Sequence, residues 1–364
     1  MILLPLLILL MPPPETPSDH GPPIISSPDR NPTAPDGMVW LDGGTFKMGG
    51  VGEEARDDER PVHEVSIDGF FIDINEVTNR QFKAFVDATN YITVAERSVD
   101  WEQLRQQLPP GTPRPSDAML APGSLVFVQP DHPADLNNPA MWWQWTSDAN
   151  WKQPQGPGSN IEDLLDHPVV HVSHEDAMAY CRWANRRLPT EAEWEFASRG
   201  GLEDKIYTWG DDPIQPKHAN VWQGRFPNEN SMEDGYLLTA PVGSYPANGY
   251  GLHDMAGNVW EWCQDRYRLD TYRLRAESEG PVHNPSGPDK AFDPRTPHAP
   301  DSRVHRGGSF LCNAVYCDSY RPSARMSTTP DTGMSHLGFR TVTTPELLMK
   351  ADGPASPAPT KPPE

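Results

Sequence analysis

Apolar positions recur with helical spacing in three stretches of the chain and alternate with polar ones in three others. From Thr78 to Thr89, Phe82, Phe85 and Val86 share one face behind a threonine able to cap the first turn, which predicts a helix. Ser173-His-Glu-Asp176 opens a second helix with a capping-box pair, Asp standing in for Glu, and Ala177, Tyr180, Cys181 and Ala184 form its apolar stripe. Thr190-Glu-Ala-Glu193 caps a third, which buries Ala192, Trp194 and Phe196 and stops at Gly200-Gly201. Short strands fit Met38–Leu41, Val62–Ile67 and Gly69–Ile72. After Gly201 the pattern shows no helix, only segments punctuated by Gly, Pro and Asn. Trp101 to Pro157 reads as a Pro-rich insertion ending in Trp142, Trp143, Trp145 and Trp151. No internal repeat is present. The pattern predicts a single α+β domain dominated by loops.

Composition trims the chain to that domain. Residues 1–36 hold ten prolines and residues 345–364 hold six, with little apolar surface to offset ordering entropy, so both tails are expected to be disordered. The core, 37–344, keeps the other 26 of the 42 prolines and is rich in tryptophan, a profile of irregular backbone pinned by large side chains. Thirty Lys and Arg against 51 Asp and Glu give a net charge of −21. That excludes a binder of nucleic acid or anionic membrane, which needs a basic face. Four cysteines exclude a disulfide-dense scaffold. No run of 18 apolar residues exists to span a membrane. Residues 1–11 have the length of a signal-peptide core, but no basic residue precedes Arg30, Pro5 interrupts the run, and Pro12-Pro13-Pro14 stands where a small-residue cleavage site would lie. Signal segment and upstream extension both remain open for them.

Long loops in a compact domain are functional or held by something. Asn220-Val221 with Glu233-Asp234-Gly-Tyr236 offers amide, carboxylate and backbone oxygens, and so does the run from His253-Asp254 through Gly257 to Val259 and Glu261. Calcium takes six to eight oxygens in irregular geometry, so either segment suits an ion. The same residues also serve as ordinary turn formers, and spacing alone favours that reading.

Half of the cysteines lie in Arg303-Val-His-Arg-Gly-Gly-Ser-Phe-Leu-Cys312-Asn-Ala-Val-Tyr-Cys317. Five positions apart, they fall on opposite faces of a strand and well apart around a helix, and meet only if the backbone between them is looped. Two buried thiols packed as small hydrophobes, a local disulfide, and a two-thiolate site for a soft ion such as copper(I) all fit that spacing. A structural zinc site fits less well, since Cys181 and Cys263 show no ligand-like spacing.

Six blocks narrow the choice. Trp40-Leu-Asp-Gly-Gly-Thr-Phe-Lys-Met-Gly49, Glu76-Val-Thr-Asn79, Arg187-Leu-Pro-Thr-Glu-Ala-Glu-Trp-Glu195, Asn248-Gly-Tyr-Gly-Leu252, Gly257-Asn-Val-Trp-Glu-Trp262 and Gly338-Phe-Arg340 resemble the sulfatase-modifying-factor family, in order, over nearly the whole core. The resemblance implies a C-type-lectin-like fold with little regular secondary structure. Its formylglycine-generating members carry Gly-Gly-Ser-x-x-Cys-x-x-x-x-Cys, matched by Gly307, Gly308, Ser309, Cys312 and Cys317, with Arg321 and Arg325 following. By resemblance, Cys312 and Cys317 bind copper(I) and Ser309 lines the site, with Asn313 and His336 as further polar candidates. Asn220, Val221, Asp234 and Tyr236 map onto one calcium site, and Asp254, Gly257, Val259 and Glu261 onto a second, less uniformly occupied one. The activity implied is oxidation of the cysteine in a Cys-x-Pro-x-Arg motif of an unfolded or nascent sulfatase to Cα-formylglycine, with molecular oxygen. The enzyme itself is expected to be a monomer.

One departure bears on compartment. Family members from oxidising compartments carry disulfides tying the central helix to the carboxy-terminal segment. Here Cys181 remains, but Thr341 stands at the partner position, and Ala197 and Pro322 occupy the other pair. That favours a cytoplasmic, prokaryotic-type enzyme over export through residues 1–11. Two rivals are a lectin-like binding member without catalysis and an iron-dependent oxygenase forming sulfur–carbon bonds. Neither accounts for the cysteine segment.

Overall fold

The three helices expected from spacing are present, with their caps, in the computed structural model, which describes residues 33–295, 297 and 301–351. The chain divides into two units, Met1–Thr33 and Ala34–Glu364, and the second holds all the secondary structure of the described residues. The expectations for residues 1–32 and 352–364 lie outside the described residues.

Along the chain run β1 (Met38–Leu41), β2 (Gly44–Met48), β3 (His63–Ile67), β4 (Phe70–Asp73), α1 (Asn79–Thr89), α2 (Trp101–Leu104), α3 (Asp117–Leu120), β5 (Gly123–Phe127) and β6 (Trp143–Ser147). They are followed by α4 (His174–Trp183), α5 (Glu191–Arg199), β7 (Trp260–Arg266), α6 (Thr271–Ala276), β8 (Val282–His283), β9 (Arg303–Arg306), β10 (Met326–Thr328), β11 (Leu337–Gly338), β12 (Val342–Thr343) and α7 (Pro345–Ala351). Capping boxes open all three long helices: Thr78 with Gln81, Ser173 with Asp176, and Thr190 with Glu193. Gly200, in the left-handed conformation, ends α5. No described helix is long and apolar enough to cross a membrane.

Four small sheets carry the frame, ordered β1-β4-β12, β2-β3-β8, β5-β6 and β10-β9-β7-β11. In the last, β7 pairs antiparallel with β9 and parallel with β11, and a register shift between Trp262 and Arg266 bends it. One apolar cluster packs α1 and α4 around Phe82, Tyr180 and Phe339, and reaches Trp260, Trp262 and Cys312. A second packs α5 against β2, β3 and β7. A third gathers Phe127, Trp142, Trp222, Phe226, Phe310 and Leu311.

Three expectations need correction. The insertion 101–157 is not all loop: β5 and β6 pair in register from Gly123↔Ser147 to Phe127↔Trp143. Trp143 and Trp145 there alternate with Gln144 and Thr146, a period of two hidden by the flanking prolines. A helix does follow Gly201, but α6 is six residues long, too short for a periodic signal. Finally, the expected disordered tail begins with α7, whose proline stands at the first helical position, where its missing N–H costs nothing.

Candidate functional site

Strand β9 aims the cysteine segment. Beyond Arg306, Gly307 and Gly308 take positive φ of 93° and 73°. A Cβ on Gly308 would lie 2.9 Å from Tyr320 N and 3.0 Å from Ser319 C, so only glycine lets the segment pass so close to 319–320. The carbonyl of Ser309 then accepts the N–H of Cys312 at 2.8 Å, and that of Asn313 accepts the N–H of Cys317, also at 2.8 Å. These turns are the loop that the spacing required. From outside, the N–H of Trp222 donates to the Cys312 carbonyl at 2.9 Å, and Asn313 Nδ2 donates to the carbonyls of Trp222 and Gly224. Asn313 therefore pins the turn rather than facing a ligand.

All four cysteines are free thiols, so the disulfide reading does not describe this pair. Cys312 is buried and Cys317 half-buried, and the two side chains are hydrogen-bonded to each other. That bond, together with the hydroxyl and N–H of Ser319 and the charge of Arg56, pulls Cys317 down to about 7. Burial, then the bond and charge of Cys317, push Cys312 well up. At neutral pH Cys317 is therefore partly thiolate beside a protonated Cys312. By contrast, burial pushes Cys181 and Cys263 up, and both are inert packing thiols.

The pair lies on a cavity of about 340 Å³ walled by Trp142, Trp143, Phe226, Trp260 and Leu311, with Arg56, Ser309, Tyr316, His305 and His336 among its polar lining. Two soft sulfurs in an aromatic-walled cavity make a donor set that fits copper(I). Sequence reasoning does not find His305. It lies beside Arg306 on β9 and packs edge-on against Trp260 and Trp262, at 4.7 and 5.7 Å, and a lone histidine on a four-residue strand gives no signal. A second cavity of about 350 Å³, lined by Ala95, Val99, Leu104 and Trp145, adjoins the chain stretch that walls the first: residues 326–328 and 334 line one, and 329 and 331–333 the other.

Arg321 and Arg325 do not reach the cavity. Arg321 grips both oxygens of Glu59 at 2.6 and 2.8 Å, and Arg325 grips Glu191, which Arg306 also meets at 2.6 Å. This buried ionic layer ties the chain on either side of the cysteine turn, at Arg306 and at Arg321 and Arg325, to Glu59 and Glu191. Such networks are costly to break because each removed partner strands a buried charge.

The first oxygen-rich loop is assembled as a unit. Asp234 accepts the N–H of Val221 at 3.3 Å and of Tyr236 at 3.1 Å, and Asn220 Oδ1 is buried without a partner. An orphaned amide oxygen beside a carboxylate fits a hard cation. In the second, Asp254 Oδ1 and Glu76 Oε2 are both buried and unpartnered, while Glu261 is already shared between Arg340, at 2.6 and 2.7 Å, and Trp194 Nε1 at 2.8 Å. Burial and the charge of Asp254 push Glu76 well up. In the sequence Glu76 stands out only as a member of a family block, although its carboxylate belongs to this acidic pair. Gly257 and Val259 stand between Asp254 and Glu261 in sequence, and a Cβ on Gly257 would lie 2.3 Å from the Asn220 carbonyl, which locks the two loops together. Among the described residues, no three His, Cys, Asp or Glu side chains converge to hold an ion by themselves, so backbone oxygens would complete either set.

Known proteins share both sequence and fold. The sulfatase-modifying factor enzyme 1-like domain matches residues 25–345. The formylglycine-generating enzyme of Thermomonospora curvata is 45% identical over 315 residues, 85% of this chain and 94% of that one. A mouse protein described as inactive Cα-formylglycine-generating enzyme 2 is 40% identical over 308 residues, 83% of this chain and 84% of its own. Among solved structures, PvdO from Pseudomonas aeruginosa superposes with a TM-score of 0.51 at 22% identity, covering 84% of this chain and 93% of that one, which shows a common fold.

Proposed function

The chain belongs to the sulfatase-modifying factor enzyme 1-like family, and from that membership we propose that it oxidises the cysteine of a Cys-x-Pro-x-Arg motif in sulfatases to Cα-formylglycine. The observation that carries the reading is the Cys312–Cys317 pair, reduced, in mutual contact and opening on a cavity. Cys312 and Cys317 would hold copper(I), which when bound supplies the one-electron chemistry with molecular oxygen that no side chain can. One thiol and one dioxygen give an aldehyde, hydrogen sulfide and water once two electrons and two protons enter, so an external reductant takes part.

The chain's own share is placement. Aromatic side chains would pack around the substrate peptide beside the sulfurs. Ser309 stands three residues from Cys312 on the same cavity. An extended polypeptide with its cysteine in the first cavity would run along 326–334 past the second. Asn220, Val221, Asp234 and Tyr236 would hold a calcium ion that stiffens the loop pinning Cys312. A second ion at Asp254, Gly257, Val259 and Glu261 would share Glu261 with Arg340 and draw on Glu76.

Likeness to an inactive relative keeps the binding-module reading in play, and its prediction differs. The test is mass spectrometry of a Cys-x-Pro-x-Arg peptide incubated with protein, copper, reductant and oxygen. Formation of the aldehyde supports the oxidase reading, and an unmodified peptide that still binds supports the binding module.

A further inference from the structure

Ser309 Oγ and His336 Nδ1 are hydrogen-bonded at 3.1 Å on the wall of the cavity that holds both thiols. Ser309 is anchored in the cysteine turn: its Oγ also accepts the N–H of Leu311 at 3.3 Å, and its carbonyl holds Cys312. His336 is anchored in the frame. Its carbonyl accepts the N–H of Trp260 at 2.8 Å, and its ring meets Trp143 edge-on at 4.7 Å. The hydrogen bond to Ser309 uses Nδ1, which leaves the other ring nitrogen, Nε2, for exchange on a ring that lines the cavity.

Charge limits what this ring can do. Burial, and then the imidazole of His171, pull His336 down to about 3, and burial with His336 does the same to His305. Such a ring is neutral at neutral pH and cannot store a proton taken from a cysteine thiol, whose pKa is about 8.5. It can still pass one on. A neutral imidazole has one N–H and one lone pair, and exchanges them when it accepts at one nitrogen and releases at the other.

We propose that Ser309 and His336 form a charge-neutral proton relay that removes the thiol proton of the substrate cysteine. The inference rests on the oxidase reading above. The substrate S–H bond breaks toward Ser309 Oγ, the serine O–H breaks toward Nδ1, and the Nε2–H breaks toward a cavity water that carries the proton out. The S–H electron pair stays on sulfur as thiolate, and serine and ring both end uncharged. The relay resets in reverse: Nε2 takes a proton from water, Nδ1 returns one to Ser309, and Ser309 protonates the sulfur that leaves as sulfide. Around the ring stand His171 ahead of α4, His305 on β9, Cys312, Tyr316 and Cys317 on the turn, and Arg56, held to Ser319 Oγ at 3.1 Å. Arg56 is the permanent charge in the cavity lining.

The test compares kcat/KM for peptide oxidation, from roughly pH 6 to 9 across the thiol range, in wild type and His336→Asn. Asparagine can accept the Ser309 hydroxyl and hold its position, but cannot exchange tautomers. The relay predicts a nearly flat wild-type profile, and a variant whose rate falls about tenfold per pH unit below the thiol pKa, because only pre-ionised substrate reacts. Nitrogen-15 NMR of the His336 ring in the metal-free wild type provides a second readout, expected to stay neutral throughout. A variant with the wild-type profile overturns the relay and leaves a positioning contact. An imidazolium signal near pH 6 also overturns it, since the ring would then store the proton. A wild type that oxidises no peptide overturns the oxidase reading, and the relay with it, before any variant is compared.

Discussion

The N–H of Cys317 donates to the carbonyl of Asn313 at 2.8 Å, and this turn sets the two thiols side by side. Its outer face is tied to Trp222 and Gly224 through the same asparagine's side chain, so the geometry rests on backbone and Asn313 rather than on the sulfurs. Cys312→Ser and Cys317→Ser should therefore each abolish peptide oxidation while changing unfolding free energy by no more than about 1 kcal/mol, the scale of a mild point mutation. Full activity in either variant would return the pair to ordinary core packing.

Legibility in the sequence depends on the range of the interaction. Helices α1, α4 and α5 were readable because cap and apolar stripe lie within a few residues, and each cap formed as spelled. Sheet β10-β9-β7-β11 was not, because its register joins residues far apart, such as Trp262 with His305 and Leu337 with Trp260. The site divides the same way. The cysteines came from a family motif, whereas His305 and the Glu76–Asp254 pair become visible only when separate segments fold together. Glu261 shows the converse: resemblance marked it as a calcium ligand, and the structure gives both its oxygens to Arg340.

Asp234 is the side chain that knits the first oxygen-rich loop, through Val221 and Tyr236, beside the unpartnered Asn220 Oδ1. Calcium at one hundred times its dissociation constant would stabilise the native state by about 2.7 kcal/mol. Wild-type protein should thus melt higher with calcium than with chelator, and Asp234→Ala should melt lower than wild type and no longer respond. Identical wild-type curves in calcium and chelator would remove the ion from this loop.

Asp265 gives the fold a pH dependence of its own. It is 1% exposed, accepts the N–H of Glu191 on Oδ2 at 2.9 Å, and leaves Oδ1 without a hydrogen bond, 3.8 Å from Arg275 Nη2. Burial and the charge of Glu191 push it up to about 7, against about 3.9 in an unfolded chain. The native state then binds a proton that the unfolded state has released, so this group's contribution is fully present below about pH 4 and is lost as pH rises through 7. Asp265→Asn should abolish that slope. Urea unfolding at several pH values should show the variant more stable than wild type by at least about 1 kcal/mol above pH 7, with the gap closing toward pH 4. A variant less stable at every pH would mean that the carboxylate's contacts outweigh its desolvation.

Metal preference is set by the donor atoms. Cys312 and Cys317 supply two sulfurs, and although His305 and His336 line the same cavity, no three His, Cys, Asp or Glu side chains converge among the described residues. Zinc would be left short of its usual four ligands, and hard cations find no oxygen cluster at the sulfurs. Two thiolates suit a soft monovalent ion of low coordination number, so copper(I) and its congener silver(I) should bind in preference to zinc. Silver should occupy the pair without supplying redox chemistry, displacing copper in native mass spectrometry and stopping turnover at one equivalent. Calcium or magnesium added to protein stripped with a copper(I) chelator should restore nothing. The decisive measurement is metal add-back, one ion at a time, read by both bound mass and peptide oxidation. Recovery with iron(II) or zinc but not copper would end the copper assignment and leave the family membership untouched.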